Sequence, residues 1–265
     1  MNPLRFVKAG IRRLLMGFGF RLIKIQKGST VKLDQDLTVY PYDISEDELF
    51  VDLFEVSRMY SMVSIERMYA LYKAVEYIVK NKIAGEMVEC GVWRGGSCML
   101  MANMLSKMTC QDRKIYLYDT FTGMTKPNVR DVRHDGLPAS EIWQGHQKLQ
   151  HNNWAYSPIE EVRQNMRSTG YPDDKLFFVK GDIRDTIPKE MPQTIALLRL
   201  DTDWFDSTYH ELRYLYPLLS PGGVLIIDDY GCWKGARQAV DQYFRENSIT
   251  IMLHRSDDTG RIGIK

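Results

Sequence analysis

Short apolar runs alternate with amphipathic stretches along most of this chain of 265 residues. The runs at 87–90, 114–118, 175–179, 195–200 and 223–227 have the length and composition of buried strands. Apolar residues at helical spacing follow Ser64, Gly96, Tyr209 and Gly235. Because strands that alternate with helices indicate βαβ units, we predict an α/β fold with a doubly wound, mostly parallel sheet.

The two ends of the chain depart from this alternation. Residues 249–253 and 261–264 flank Asp257-Asp258-Thr259-Gly260, a pattern typical of a C-terminal antiparallel hairpin. Residues 1–31 combine basic side chains with apolar residues at helical spacing, which predicts a basic amphipathic helix. Such a helix can lie on an anionic membrane surface, or pack against the domain or a second subunit, which is its commoner fate.

The pattern divides the chain into an N-terminal extension, residues 1–59, and one domain, residues 60–265. After its helix, the extension is expected to be irregular and contains a cluster of acidic residues. Within the domain, residues 121–171 are polar and contain Trp143 and Trp154. This stretch is too long for a passive connection, and we predict a lid or substrate loop.

Charge and cysteine content narrow the functional class. The formal net charge of +1 gives the chain no general attraction to nucleic acid, and we expect no nucleic-acid partner. The four cysteines form no CxxC pair and are expected to be reduced, which favours the cytoplasm. No apolar run reaches the roughly 18 residues that span a bilayer, so membrane contact would be peripheral, at the inner face. A homo-oligomer is expected.

Two apolar runs stop abruptly in carboxylates, at Asp201-Thr202-Asp203 and at Asp228-Asp229. In an open α/β sheet, ligands bind outside the carboxyl ends of the strands. Acids this close repel one another unless a hard cation lies among them, and oxygen ligands suit Mg²⁺, Mn²⁺ or Ca²⁺. A single acidic strand end is more often a turn or helix cap. Two such ends favour a metal site.

A glycine-rich turn, residues 89–97, follows the first predicted strand and opens a helix. Glycines allow a tight turn and close approach to a ligand, and the free N–H groups of the helix start favour a polar or anionic group. Asp119 ends the next strand, where an acid can receive ribose hydroxyls. Asp182 ends a further strand and can face an adenine amino group. Together these strand ends outline a nucleoside pocket, although each alone also fits a turn.

Several long motifs in this order resemble the macrocin O-methyltransferase (TylF) family. They are YSMVSIER at 60–67, VECGVWRGGS at 88–97, DTF at 119–121, LRLDTD at 198–203 and IDDYGCWKG at 227–235. The resemblance implies a class I S-adenosylmethionine-dependent methyltransferase fold with a Rossmann-like sheet. It also implies methylation of a hydroxyl on a sugar or glycosylated metabolite, with a divalent metal, usually Mg²⁺.

Carried onto this chain, the resemblance implies Asp201, Asp228 and Asp229 as metal ligands and Asp203 as the general base. The cofactor contacts it implies are Tyr60, Ser61, Met62, Glu89, Gly91, Trp93, Gly95, Ser97, Asp119 and Asp182. The chemistry agrees, because a sugar hydroxyl is too weakly acidic to attack a methyl group unless a dication lowers its pKa. Asp203 lies two residues from Asp201, hence on the same face of an extended strand end, within reach of the proton.

Two alternatives stay open at this point. A catechol or other phenol would also be a substrate for metal and carboxylates on the same fold. A non-catalytic protein could use the sheet to hold a nucleoside and the N-terminal helix to reach a membrane or partner. The complete set of four aspartates argues against the second alternative, because a degenerate site would need neither ligands nor a base.

Overall fold

The computed structural model describes residues 40–265. The predicted basic helix before residue 31 lies outside this range. Residues 40–46 belong to a first unit with one short helix, α1 (Tyr42–Ser45). The second compact unit, Asp47–Lys265, begins earlier than the predicted domain boundary at residue 60. Across the described residues, every helix is too short or too polar to span a membrane.

One sheet organises the second unit. Five strands run parallel: β1 (Glu86–Cys90), β2 (Ile115–Asp119), β3 (Leu176–Lys180), β4 (Ile195–Leu200) and β5 (Leu219–Ile227). The last two strands are β6 (His254–Arg255) and β7 (Arg261–Ile264), and β7 runs antiparallel to both of its neighbours, β5 and β6. The order across the sheet is β3-β2-β1-β4-β5-β7-β6. The predicted doubly wound, mostly parallel sheet with a C-terminal hairpin is therefore confirmed.

The first strand of that hairpin lies at His254–Arg255 and not at 249–253 as predicted. A tight turn explains the shift, because Asp257 Oδ1 accepts hydrogen bonds from the N–H groups of Thr259 (2.9 Å) and Gly260 (2.7 Å). The residues that pair with β7 are His254 and Arg255, directly before this turn. Residues 249–253 instead connect the last helix to the hairpin.

Helices cover both faces of the sheet. On one face α2 (Glu48–Ser57), α3 (Ile65–Lys80), α4 (Gly96–Lys107) and α6 (Ile159–Ser168) pack together. On the other lie α7 (Ile183–Thr186), α8 (Phe205–Leu215) and α9 (Lys234–Glu246). The remaining helix, α5 (Ala139–His146), belongs to the long segment after β2.

The helix α2 contradicts the expectation of irregular structure up to residue 59. Asp47 caps it by accepting a hydrogen bond from the Phe50 N–H (3.2 Å). Phe50, Leu53, Phe54 and Ser57 are buried, and their spacing is that of one helical face. The acidic residues between them masked this stripe in the sequence.

The segment predicted as a lid, 121–171, is two different structures. Its second part, α6, is the crossover helix that leads to β3. Val162 and Met166 of α6 lie against Gly95 at the start of α4, so this helix belongs to the body of the domain. Only the part of this segment before α6 is an insertion, between β2 and the crossover helix.

Candidate active site

Glycines fix the turn between β1 and α4 at positions where a side chain does not fit. Gly91 has a φ of +82° and Gly95 one of +91°, in the region that favours glycine. A Cβ on Gly91 would overlap the carbonyl oxygen of Asp201, at the end of β4. This close approach joins the glycine-rich turn and the first acidic strand end in one site.

Asp119, at the end of β2, holds the same turn from the other side. Its Oδ2 accepts hydrogen bonds from the N–H groups of Val92 (2.7 Å) and Trp93 (3.1 Å), and its Oδ1 accepts one from Phe121 (2.7 Å). Burial raises the pKa of this carboxyl, and the three N–H groups oppose the rise. Asp119 therefore shapes the turn, a role in addition to the ribose contact expected from the sequence.

Two adjoining cavities open at the carboxyl ends of the strands. The predicted cofactor residues that line the first are Met62, Gly91, Trp93, Asp119 and Asp182. Those that line the second, of about 430 Å³, are Tyr60, Ser61, Met62, Glu89, Trp93 and Ser97. Asp201 and Asp203 belong to both walls. Gly95 lines neither cavity, because a Cβ there would face Val162 of α6.

Asp182 and Glu89, like Asp119, already have partners within the chain. Asp182 caps α7 by accepting from the Arg184 N–H (2.9 Å) and pairs with the Arg184 guanidinium (2.6 Å). Burial alone would raise the pKa of Asp182, but the contacts with Arg184 outweigh this effect and lower the pKa. Glu89 is buried, and its Oε2 accepts a hydrogen bond from the Cys98 thiol (2.7 Å). The Glu89 carboxylate thus links β1 to the helix that follows the glycine-rich turn.

Three carboxylates come together where the cavities meet. One oxygen each from Asp201, Asp203 and Asp229 lies within 4.8 Å of the others. Burial, with the charge of Asp201, raises the pKa of Asp203 to about 7. The Oδ2 atom of Asp229 is buried and has no hydrogen-bond partner among residues 40–265. An orphaned oxygen in a group of acids fits a hard divalent cation, which would satisfy it and offset the repulsion.

Asp228, which the resemblance implies as a metal ligand, pairs with two arginines. It is buried, its Oδ1 accepts a hydrogen bond from Arg199 (2.6 Å), and its Oδ2 pairs with Arg67. Because arginines hold both oxygens, Asp228 stands apart from the three-carboxylate group. Asp203 occupies the third position in that group instead.

Two arginines outside the predicted site residues pair with these acids. Arg199, 2% exposed within β4, pairs with Glu89, Asp201 (2.7 Å) and Asp228. A charged residue inside an otherwise apolar strand is a usable signal, because charges buried this deeply are almost always paired. Arg199 therefore ties together the ends of β1, β4 and β5.

Arg67, on α3, extends this network to the C-terminal hairpin. Its guanidinium pairs with Asp228 and, at 2.9 Å, with Asp257 in the β6–β7 turn. Asp257 also accepts a hydrogen bond from the Ser64 hydroxyl (2.8 Å), at the N-cap of α3. Because no local sequence pattern marks either contact, this connection could not be predicted.

Tryptophans close one side of the second cavity. The rings of Trp154, Trp204 and Trp233 have centroids 5.1 to 5.8 Å apart, and Trp154 and Trp233 line the cavity. Trp143 instead donates its indole N–H to the carbonyl of Met124 (2.9 Å), which fastens the inserted segment. The insertion thus contributes Trp154 to an aromatic wall beside the acidic group, and Trp204 and Trp233, which follow β4 and β5, complete that wall.

Comparison with known proteins decides the family. The model of the macrocin-O-methyltransferase (TylF) family matches residues 41–262. The chain belongs to this family. It is an S-adenosylmethionine-dependent methyltransferase, and the predicted family, fold and methyl donor are confirmed.

Individual members of the family are similar over most of the chain. Demethyldecarbamoylnovobiocin O-methyltransferase of Streptomyces niveus is 35% identical over 201 residues, 76% of this chain and 74% of that one. A second relative, 34% identical over the same share of each chain, is the 8-demethyl-8-(2,3-dimethoxy-alpha-L-rhamnosyl)-tetracenomycin-C 4'-O-methyltransferase of Streptomyces olivaceus. The solved structure of the O-methyltransferase NovP, 32% identical, has a TM-score of 0.69 and covers 78% of this chain and 82% of its own.

Proposed function

We propose that this enzyme methylates a hydroxyl of a sugar or glycosylated small molecule, with a divalent cation, Mg²⁺, at the acidic group. The observation that carries the proposal is the meeting of two cavities at Asp201 and Asp203. A methyl donor in the first cavity and an acceptor in the second would face each other there. The name of the Streptomyces olivaceus relative, a methyltransferase of a rhamnosyl tetracenomycin, supports a sugar acceptor.

The acidic group matches the chemistry that this reaction needs. Asp201, Asp203 and Asp229 are the residues that would hold the cation, which when bound lowers the pKa of an acceptor hydroxyl. Asp203 remains the proposed general base, because a carboxylate has two oxygens and one of them can accept the hydroxyl proton. Asp228, held by two arginines, is proposed to fix the frame around the group.

The residues that line the two cavities are proposed to orient the methyl donor and the acceptor. The first wall, with Gly91, Asp119 and Asp182, is the proposed nucleoside site. Trp154 and Trp233 offer apolar faces to a sugar ring and exclude water from the acidic group. Since the sulfonium already makes the methyl group electrophilic, the protein chiefly has to align it with the acceptor oxygen.

Methyl transfer from labelled S-adenosylmethionine tests the proposal. The acceptors are a panel of glycosides and a matched panel of catechols and phenols, each with and without a chelator. We expect transfer to glycosides that stops in chelator and returns with Mg²⁺. Transfer to phenols alone would overturn the sugar assignment, and full activity in chelator would overturn the metal assignment.

The ligand set has its own test. Mn²⁺ binding is measured by electron paramagnetic resonance for Asp203→Asn and Asp228→Asn, with the exposed Asp174→Asn as control. We expect Asp203→Asn to weaken Mn²⁺ binding and Asp228→Asn to keep it. The opposite result would restore the set that the family resemblance implies. If Asp203→Asn keeps Mn²⁺ but loses about 10² to 10⁴ in kcat, Asp203 is a base alone.

The cellular setting is also a proposal. We propose a cytoplasmic homo-oligomer whose N-terminal segment contacts the inner face of the membrane. The basic, apolar pattern of residues 1–31 and the four free thiols support it. Sedimentation with anionic vesicles, compared with neutral vesicles and with a chain lacking residues 1–27, tests the membrane contact. Light scattering tests the oligomer.

A further inference from the structure

The turn that carries the acidic group has a strained backbone. Asp203 has a φ of +64°, a left-handed conformation that is unfavourable for a residue with a side chain. Such a conformation persists only where its surroundings fix it. Part of that support comes from the carbonyl of Thr202, which accepts hydrogen bonds from the Trp204 N–H (2.7 Å) and the Ser207 hydroxyl (3.3 Å).

A buried carboxyl group lies beside this turn and takes no part in the proposed reaction. Glu211, on α8, is 0% exposed, and its Oε1 accepts a hydrogen bond from the Thr202 hydroxyl (2.7 Å). Its Oε2 is also buried and, within the part of the chain that the structure describes, has no hydrogen-bond partner. Burying a polar group without full hydrogen bonding is costly, and an apolar side chain would avoid that cost. The single bond to Thr202 is therefore the contact that accounts for an acid at this position.

Thr202 lies between the two acids of the strand end. A hydrogen bond from its side chain to α8 fixes the residue directly before the strained one. Because the backbone of Asp201 is held on its other side by the close approach of Gly91, the whole turn is fixed from two elements. These two contacts therefore also fix the orientation of the Asp203 carboxylate.

We propose that Glu211 is a positioning residue that, through the Thr202 hydroxyl, holds Asp203 in its left-handed conformation. The proposal rests on the proposed function, in which Asp203 acts on the acceptor hydroxyl. Glu211 itself lines neither cavity in the part of the chain that the structure describes.

Two substitutions at one position separate this role from simple packing. Glu211→Gln keeps the acceptor oxygen for Thr202, whereas Glu211→Leu removes it and keeps an apolar side chain of similar size. We expect kcat to fall about tenfold in Glu211→Leu, equal to ~1.4 kcal/mol, and to stay within about twofold in Glu211→Gln. Leu212→Val, which shortens a buried side chain on the same helix, controls for general destabilisation and should leave kcat unchanged.

The decisive measurement repeats Glu211→Leu in the Asp203→Asn background. If Glu211 acts by placing the Asp203 carboxylate, the tenfold loss should shrink to less than about twofold there, because coupled residues are not additive. An equal loss in both backgrounds, or equal kcat for Glu211→Gln and Glu211→Leu, overturns the proposal. Should Glu211→Leu not fold, Thr202→Val removes the same hydrogen bond from the other side.

The same variants distinguish a failure of the proposed function from a failure of the positioning proposal. If Asp203→Asn alone keeps wild-type kcat, the role of Asp203 is wrong and the positioning proposal falls with it. If Asp203→Asn is impaired and Glu211→Leu is not, only the positioning proposal is overturned. Affinity for S-adenosylhomocysteine, measured by calorimetry, should stay the same in all Glu211 variants.

Discussion

The stability of this enzyme should fall as pH rises toward 8, and Glu211→Gln should remove part of that fall. Burial raises the pKa of Glu211 to about 8, from an ordinary value of 4.5, against a smaller opposing effect of the Thr202 hydroxyl. Between these two values the folded chain keeps a proton that the unfolded chain has released. Each further rise in pH therefore favours the unfolded state.

The magnitude follows from the two pKa values. Each pH unit within this window costs about 1.4 kcal/mol of unfolding free energy, so the fall from pH 5.5 to pH 8 is about 3 kcal/mol. A glutamine does not titrate and loses nothing through this group. Burial raises the pKa of Glu89 to about 7, so this residue also makes stability depend on pH. Its contribution is the same in the wild type and in Glu211→Gln and cancels when the two are compared.

Urea unfolding followed by tryptophan fluorescence measures the effect at several pH values between 5.5 and 8. Chelator is present and cofactor is left out, so that no bound ligand shifts the equilibrium. The difference in unfolding free energy between Glu211→Gln and wild type should grow steadily with pH. Parallel curves would refute the reasoning, because they would mean that Glu211 has an ordinary pKa in the folded chain.

Substitutions at three other positions test the frame of the site. Arg199→Met leaves the buried carboxylate of Glu89 without a cation and removes one of the two arginines that pair with Asp228. It should cost about 3–5 kcal/mol of stability, measured by urea unfolding, with Arg199→Lys losing less. Asp119→Ala deprives three N–H groups of their acceptor and should lower the affinity for S-adenosylhomocysteine at least about tenfold in calorimetry, each lost bond being worth ~1–3 kcal/mol. Gly91→Ala should abolish that affinity, and binding like wild type would contradict the close approach of this turn to β4.

The sheet could be predicted because its strands β1, β2, β4 and β5 are largely buried and read as apolar runs. The six residues of β4 are all buried, and their bounds agree with the sequence. The helix α2 could not be predicted as readily, since its buried face is narrow and acidic residues interrupt it. Its stability depends on packing against α4, which no local pattern reveals.

The site was predictable in position but not in the detail of its contacts. Asp203 and Asp228 are equivalent as acids at strand ends, and only the placement of Arg199 and Arg67 tells them apart. Thr202 and Glu211 are nine residues apart, across a turn whose path the sequence does not define. Side-chain pairings of this kind depend on three-dimensional distances and not on spacing along the chain.

The hairpin contact of Arg67 affects when this enzyme becomes active during its synthesis. Ser64 and Asp257 are 193 residues apart, and Arg67 and Asp228 are 161 apart. On the ribosome, α3 emerges long before Asp228 and Asp257, the residues that pair with Arg67. These arrive only with β5 and the hairpin, whereas Asp119 reaches the glycine-rich turn much earlier, so a nascent chain can form the nucleoside side of the site before the acidic group is complete.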